Sequence, residues 1–151
     1  MTRLEERFVT RLDRERAFAY VADWTHQAEW DPNTVRSSRV DGGPLAVGSR
    51  FELLVRVGRS TRPMRYTITE LQAGRRVVLE GAGPGIRARD TITCADSGSG
   101  TLLGYAADIE LAGILRLVQP LLRPVFRGIA RGAASGLQRE LDRRAQPAET
   151  P

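Results

Sequence analysis

Residues 100–141, GTLLGYAADIELAGILRLVQPLLRPVFRGIARGAASGLQREL, change period part-way along, and that change decides the fold. In the first part Leu103, Tyr105, Ala107 and Ile109 share one phase of a two-residue alternation, which predicts a strand. Beyond Gly113 the spacing becomes three and four. Leu122, Phe126, Ile129, Ala133 and Leu137 then share one face, with Arg123, Arg127 and Arg131 opposite. Pro120 and Pro124 predict a loop or short turn first and a continuous helix from about Arg123 to about Ala145. The closing residues 146–151, QPAETP, read as a frayed tail.

That helix carries Gly128, Gly132 and Gly136, a glycine at every fourth position. Each costs about 1 kcal/mol relative to alanine inside a helix, so the missing side chains must serve something. At about 100° per residue Gly136 falls within the apolar face, while Gly132 and Gly128 lie progressively round its flank. Two explanations stand side by side: the helix approaches its neighbour closely there, or it leaves a hollow beneath it.

Upstream, residues 34–111 form six strand-like runs: TVRSSRV, RFELLVRV, MRYTITEL, RVVLEG, IRARDTIT and TLLGYAADIEL. DGGPLAVG, GRSTRP, QAG, AGPG and ADSGSG separate them, with the Gly, Pro, Asp and Ser content of hairpin turns. An antiparallel meander follows. Before it, RLEERFVTRL at 3–12 alternates as a further strand, and Asp13 caps RERAFAYVADW as a short helix. A second short helix runs through HQAEW until Pro32 stops it. The order is α+β: seven antiparallel strands, two short helices, and one terminal helix long enough to cover a curved sheet. One domain over 1–145 is expected.

The chain has 151 residues, 41% hydrophobic and 27% charged, enough for a core of its own. No apolar run approaches the roughly 20 residues of a membrane span, and MTRLEER lacks the apolar centre of a secretion signal, so a cytoplasmic location is expected. The single cysteine, Cys94, and single histidine, His26, supply neither a zinc set nor a hydrolytic triad, and no G-x-S-x-G is present. No metal and no cofactor are expected. Net charge is +5, yet all 23 basic residues are arginines spread along the chain, without a nucleic-acid motif. Nucleic acid is therefore not an expected partner. The row Arg123, Arg127, Arg131 is either a solvated face or a site of transient contact with anionic headgroups.

Three stretches give the chain a family likeness. AFAYVADWTHQAEWDP, with Asp23 followed by Trp30-x-Pro32, resembles the first helix pair of the START-like, or birch-pollen-allergen-like, helix-grip superfamily (SRPBCC), in its bacterial polyketide cyclase/dehydrase-like branch. YTITELQAGRRVVLEG resembles that group's central hairpin, and the 100–141 stretch its last strand and closing helix. The resemblance implies a cup: a seven-stranded sheet, a long helix across it, and an apolar cavity between them that holds lipids, polyketides or other hydrophobic ligands.

Strand phase then nominates the side chains facing that cavity. Phe8, Phe51, Leu53, Val55, Tyr66, Ile68, Ile92, Tyr105, Ala107 and Ile109 lie in apolar phases, with Trp30, Phe126 and Ile129 at the rim or lid and Gly132 opening space. Polar groups in those phases are the informative ones. Asp90 shares its phase with Ile86, Ala88 and Ile92, and Glu6 lies between Leu4 and Phe8. In an apolar cavity Asp90 would be a base for enolisation, with Tyr66 or Tyr105 donating to the developing oxyanion. The abundance of arginine favours the opposite reading, in which Asp90 pairs with Arg87 or Arg89 at the surface. For Glu140, near the end of the last helix, a salt bridge is expected.

The leading expectation is binding or transfer of a hydrophobic small molecule. A polyketide cyclase, aromatase or dehydratase using Tyr66, Asp90 and Tyr105 is the alternative, and a protein-interaction module that docks through the helix is another. Oligomeric state is not legible.

Overall fold

Thr2, Leu4 and Thr10 of β1 (Thr2–Thr10) point inward and Arg3, Glu5 and Arg7 outward, as the alternation requires. The computed structural model describes residues 1–146, so the expected tail lies outside the described residues from 147 onward. After β1 come α1 (Arg14–Ala22), a 3-10 turn at Trp24–His26, and α2 (Gln27–Trp30). Six strands follow: β2 (Thr34–Arg39), β3 (Arg50–Val57), β4 (Ser60–Gln72), β5 (Arg76–Gly83), β6 (Ile86–Ser97) and β7 (Gly100–Leu111). The sheet has seven strands in the order β1-β7-β6-β5-β4-β3-β2, antiparallel at every pairing. Register shifts at Thr34/Arg36 and at Ile68/Glu70 add the local bends that curl such a sheet.

Side-chain caps set the short helices. The Asp13 carboxylate accepts from the Arg16 amide at 3.2 Å, and Asp23 accepts from the Thr25 amide at 3.1 Å. Asp31 then organises the exit, accepting from the Asn33 amide at 2.9 Å and the Thr34 hydroxyl at 2.8 Å.

The long helix α3 (Gln119–Ala145) starts earlier than the prolines suggested, at Gln119 rather than about Arg123. Pro120 sits in the first turn, where its missing N–H leaves no intrahelical bond unmade. Residues Gly113–Val118 ahead of it form a 3-10 turn. Both ends of α3 are tied to the sheet. At the start the Gln119 amide donates to Thr2 Oγ1 and to the Ile109 carbonyl, each at 3.0 Å, and accepts from the Leu111 amide at 3.1 Å. Near the other end Asp142 accepts from the Thr10 hydroxyl at 2.7 Å and the Arg11 amide at 3.0 Å. Glu140 forms ion pairs with Arg143 and Arg144, and the Arg144 guanidinium lies 4.0 Å from the centre of the Tyr20 ring.

The helix glycines have different surroundings. At Gly136 a β carbon would overlap the Trp30 carbonyl oxygen, so the bare backbone lets α3 seat on the exit of α2. A β carbon at Gly132 would meet Pro32 at an ordinary 3.5 Å, and at Gly128 it would meet nothing within 4 Å among the described residues. Close packing thus accounts for Gly136.

The core occupies one end of the cup. Phe51, Ile68, Leu79, Ile92 and Leu103 are fully buried there, beneath Phe18, Val21 and Trp24. Among the described residues no helix is long and apolar enough to cross a membrane.

Candidate functional site

At the other end of the cup, toward the β3–β4 and β5–β6 turns, a space of about 100 Å³ remains between the sheet and α3. Phe126, Ile129, Ala130 and Ala133 of α3 roof it. Its apolar walls include Leu4 of β1, Val55 and Val57 of β3, Met64 of β4, Ile86 and Ala88 of β6, and Ala107 and Ile109 of β7. Gln27 at the start of α2, with Asp31 and Asn33 just past its end, closes one side, and Arg56 reaches its edge.

Asp90, Tyr66 and Tyr105 are the buried polar groups that the sheet contributes to the lining. Tyr105 faces Ile92 across the β6–β7 ladder, one inward position along from Asp90, and its hydroxyl donates to Asp90 Oδ1 at 3.1 Å. Burial pushes the Asp90 carboxyl up to about 7; the hydrogen bond from Tyr105 pulls it down, the negative charge of Asp31 pushes it further up, and the Tyr66 hydroxyl is a second, weaker donor. Burial, followed by the charge on Asp90, also raises both tyrosines well above the ordinary phenol range. They therefore act as neutral hydrogen-bond donors. The Tyr66 ring is held from two sides: Trp24 tilts against it with centroids 4.7 Å apart, and cross-strand Gly81 leaves it the room a side chain would take.

This placement corrects the surface reading of Asp90. Arg87 and Arg89 are in the outward phase of β6, so neither can reach a carboxylate on the inner face. Of the other expected site residues, Val55, Tyr66, Tyr105, Ala107, Phe126 and Ile129 meet at the space. Phe51, Leu53 and Ile92 face the same way but lie further along their strands, in solid core. Phe8 and Glu6 are both half-buried, and Phe8 packs on the core's margin. Trp30 is buried against the α2–α3 contact, and Gly132 abuts Pro32 outside the lining.

Sequence reasoning overlooked Gln27, Asp31 and Asn33. A signal for Asp31 was present in Asp-Pro-Asn-Thr, a turn sequence whose aspartate accepts from the residues after it. Gln27 carried none; it is buried, and its Oε1 has no hydrogen-bond partner among the described residues. Elsewhere, His26 stacks on Tyr20 at 4.7 Å, with Nδ1 3.2 Å from Glu29 Oε2, a surface cluster that also receives the Tyr20 hydroxyl at 2.8 Å. Cys94 is buried, and loss of solvation pushes its thiol up to about 12. Among the described residues no group of three or more His, Cys, Asp and Glu is placed to hold a metal ion.

The sequence model of one family, described as polyketide cyclase / dehydrase and lipid transport, matches residues 1–142. The chain belongs to that family. Its fold agrees with those of several solved structures. A Thermus thermophilus protein superposes with a TM-score of 0.81 at 13% identity, over 96% of this chain and 100% of that one. A START superfamily protein from Mycobacterium smegmatis gives 0.79 at 12% identity, over 93% and 97%. The Zhui aromatase/cyclase from a Streptomyces gives 0.78 at 14% identity, over 99% of each chain. At such identities the likeness establishes the helix-grip START fold alone. None of the curated protein sequences matches this chain significantly. Membership of the family implies either binding of a hydrophobic ligand or polyketide cyclase chemistry.

Proposed function

We propose that the protein binds, in the cytoplasm, a small molecule with an apolar body and a hydrogen-bonding edge, held between α3 and the sheet. The observation that carries this reading is Gln27 Oε1, without a partner among the described residues, on the lining of a mostly apolar space whose other polar groups include Asp90, Tyr66 and Tyr105. A buried acceptor without a partner costs about 1–3 kcal/mol, and a ligand hydroxyl or N–H would recover it. The volume sets a limit on size. At about 100 Å³ the space is below the roughly 300–1,000 Å³ of drug-sized pockets, so a lipid or polyketide-like ligand requires outward movement of the α3 roof.

Native mass spectrometry of the purified protein, followed by denaturation and identification of what is released, tests this. A fatty acid, lipid or aromatic polyketide held by the protein and released by Ala133→Trp, which fills the space, is the expected result. A protein that neither carries such a molecule nor takes up hydrophobic fluorescent probes would sink the reading.

Cyclisation or dehydration of a polyketide-like substrate is the second reading, favoured by Asp90 with its carboxyl near pH 7 beside two neutral phenols. As carboxylate, Asp90 would accept a proton from a carbon next to a ketone. The enolate oxygen would take a hydrogen bond from Tyr105 or Tyr66, and no cofactor is required. Asp90→Asn should then retain ligand and abolish turnover, whereas a pure carrier would keep its transfer activity.

A further inference from the structure

Between Glu110 and Glu140 the chain has no acidic residue and five arginines: Arg116, Arg123, Arg127, Arg131 and Arg139. The most exposed aliphatic side chains after Met1 occur in the same stretch. Ile114, Leu117 and Leu121 are 81%, 79% and 77% exposed. Single exposed apolar residues are ordinary on a protein surface, but these three are successive in space. The 3-10 turn Gly113–Val118 stacks positions three apart, which aligns Ile114 with Leu117, and Leu121 follows one turn later at the start of α3. At about 100° per residue Val125 and Gly128 continue the outward strip from Leu121 and Arg139 returns to its line about five turns along, while Arg131 and Arg127 flank it at about 80° and about 120° and Arg123 lies about 160° away. Leu115 and Phe126 of the same segment point the other way, into the core and the cavity roof.

We propose that this face docks on an anionic lipid bilayer, with the Ile114–Leu117–Leu121 ridge inserted below the headgroups and the neighbouring arginines paired with lipid phosphates. An apolar strip edged with arginine is the pattern of an interfacial helix, whose binding sums buried apolar area and attraction to anionic lipid. Charge decides between occupants. Two copies of this chain meeting across the face would set arginine against arginine, while a neutral surface would leave the cations without counter-charge. On the side toward β1, Arg127 and Arg131 border Glu5 and Glu6, so Arg116, in the turn that carries the ridge, and Arg139, on the line of Leu121, carry most of the attraction. The proposal is independent of what the cavity holds.

Sedimentation with vesicles tests it, using phosphatidylcholine alone and phosphatidylcholine mixed with phosphatidylglycerol. The protein should pellet with the mixed vesicles, less as salt is raised, and remain in solution with the neutral ones. Combined Ile114→Ser, Leu117→Ser and Leu121→Ser should lower partitioning at least about tenfold with the melting temperature unchanged. Should that variant unfold, Leu117→Ser alone should lower it several-fold. Arg116→Gln with Arg139→Gln should weaken binding to the anionic vesicles. The proposal fails if the protein stays in solution with anionic vesicles, or if the serine variants bind as well as the parent, which would indicate unspecific charge attraction. It also fails if ultracentrifugation finds a dimer that the serine variants dissociate, which would assign the ridge to a second copy.

Discussion

The ring of Tyr66 on β4 occupies the volume that a side chain on its cross-strand partner, Gly81 of β5, would need. The glycine is thus part of the site without touching the cavity. Gly81→Val should push Tyr66 off Asp90 and cost about 1–3 kcal/mol as overpacking. Urea denaturation measures the cost, and a crystal structure of the variant shows the ring. An unmoved Tyr66 would mean that the strand yields instead.

The three helix glycines should respond differently to alanine. Gly136→Ala forces a β carbon onto the Trp30 carbonyl and should destabilise by about 1–3 kcal/mol. Gly128→Ala, in open space, should stabilise by up to about 1 kcal/mol through helix propensity alone. Thermal melts of the two variants should therefore move in opposite directions, and equal losses would contradict the packing described for α3.

Asp90 makes stability depend on pH. Its carboxyl is raised by burial from the ordinary 3.8 to about 7, so the unfolded chain releases this proton first. The contribution of Asp90 is complete below about pH 4, declines as pH rises toward 7, and is constant above that. The decline is on the order of 4 kcal/mol at most. Asp90→Asn should remove this slope and leave the protein more stable than the parent at pH 8, as denaturation across pH 4–8 would show. Identical slopes in the two proteins would place the titration elsewhere.

Phe126 forms much of the roof and is fully enclosed. Phe126→Ala should cost about 3–5 kcal/mol and enlarge the space beneath α3. A naphthol-sized probe should bind the variant more tightly than the parent by calorimetry, and weaker binding would show that the ring itself is a contact for the ligand.

Most of the architecture was legible because period two and period 3.6 alternate cleanly along the chain. The phase of β6 also put Asp90 on the inner face with Ile86 and Ala88. What misled was the arithmetic of twenty-three arginines, which says nothing about which face each one is on. Phase also fails to report height along a strand. Val55 and Phe51 share a phase, yet one borders the cavity and the other is solid core, since α1 and Trp24 fill one end of the cup only. Gln27 was illegible as a site residue, and the turn signal at Asp31 did not reveal its place on the lining, because the docking of α2 and the turn after it, rather than any local periodicity, carries them there.

The sheet order has a bearing on how the chain comes to be folded. β1 is made before the other strands, but its only strand partner among the described residues is β7, with Thr2 opposite Ile109. During synthesis at about 5–20 residues per second, the first strand waits on the order of 5–20 s for its partner to emerge. The local hairpins β3–β4, β4–β5 and β5–β6 can form in that interval, each through short-range contacts. Closure of β1, with the Gln119 and Asp142 ties that seat α3 upon it, is then the late, long-range event. A nascent chain arrested before β7 would display β6's pairing edge and β1's apolar face to whatever chaperone stands at the tunnel mouth.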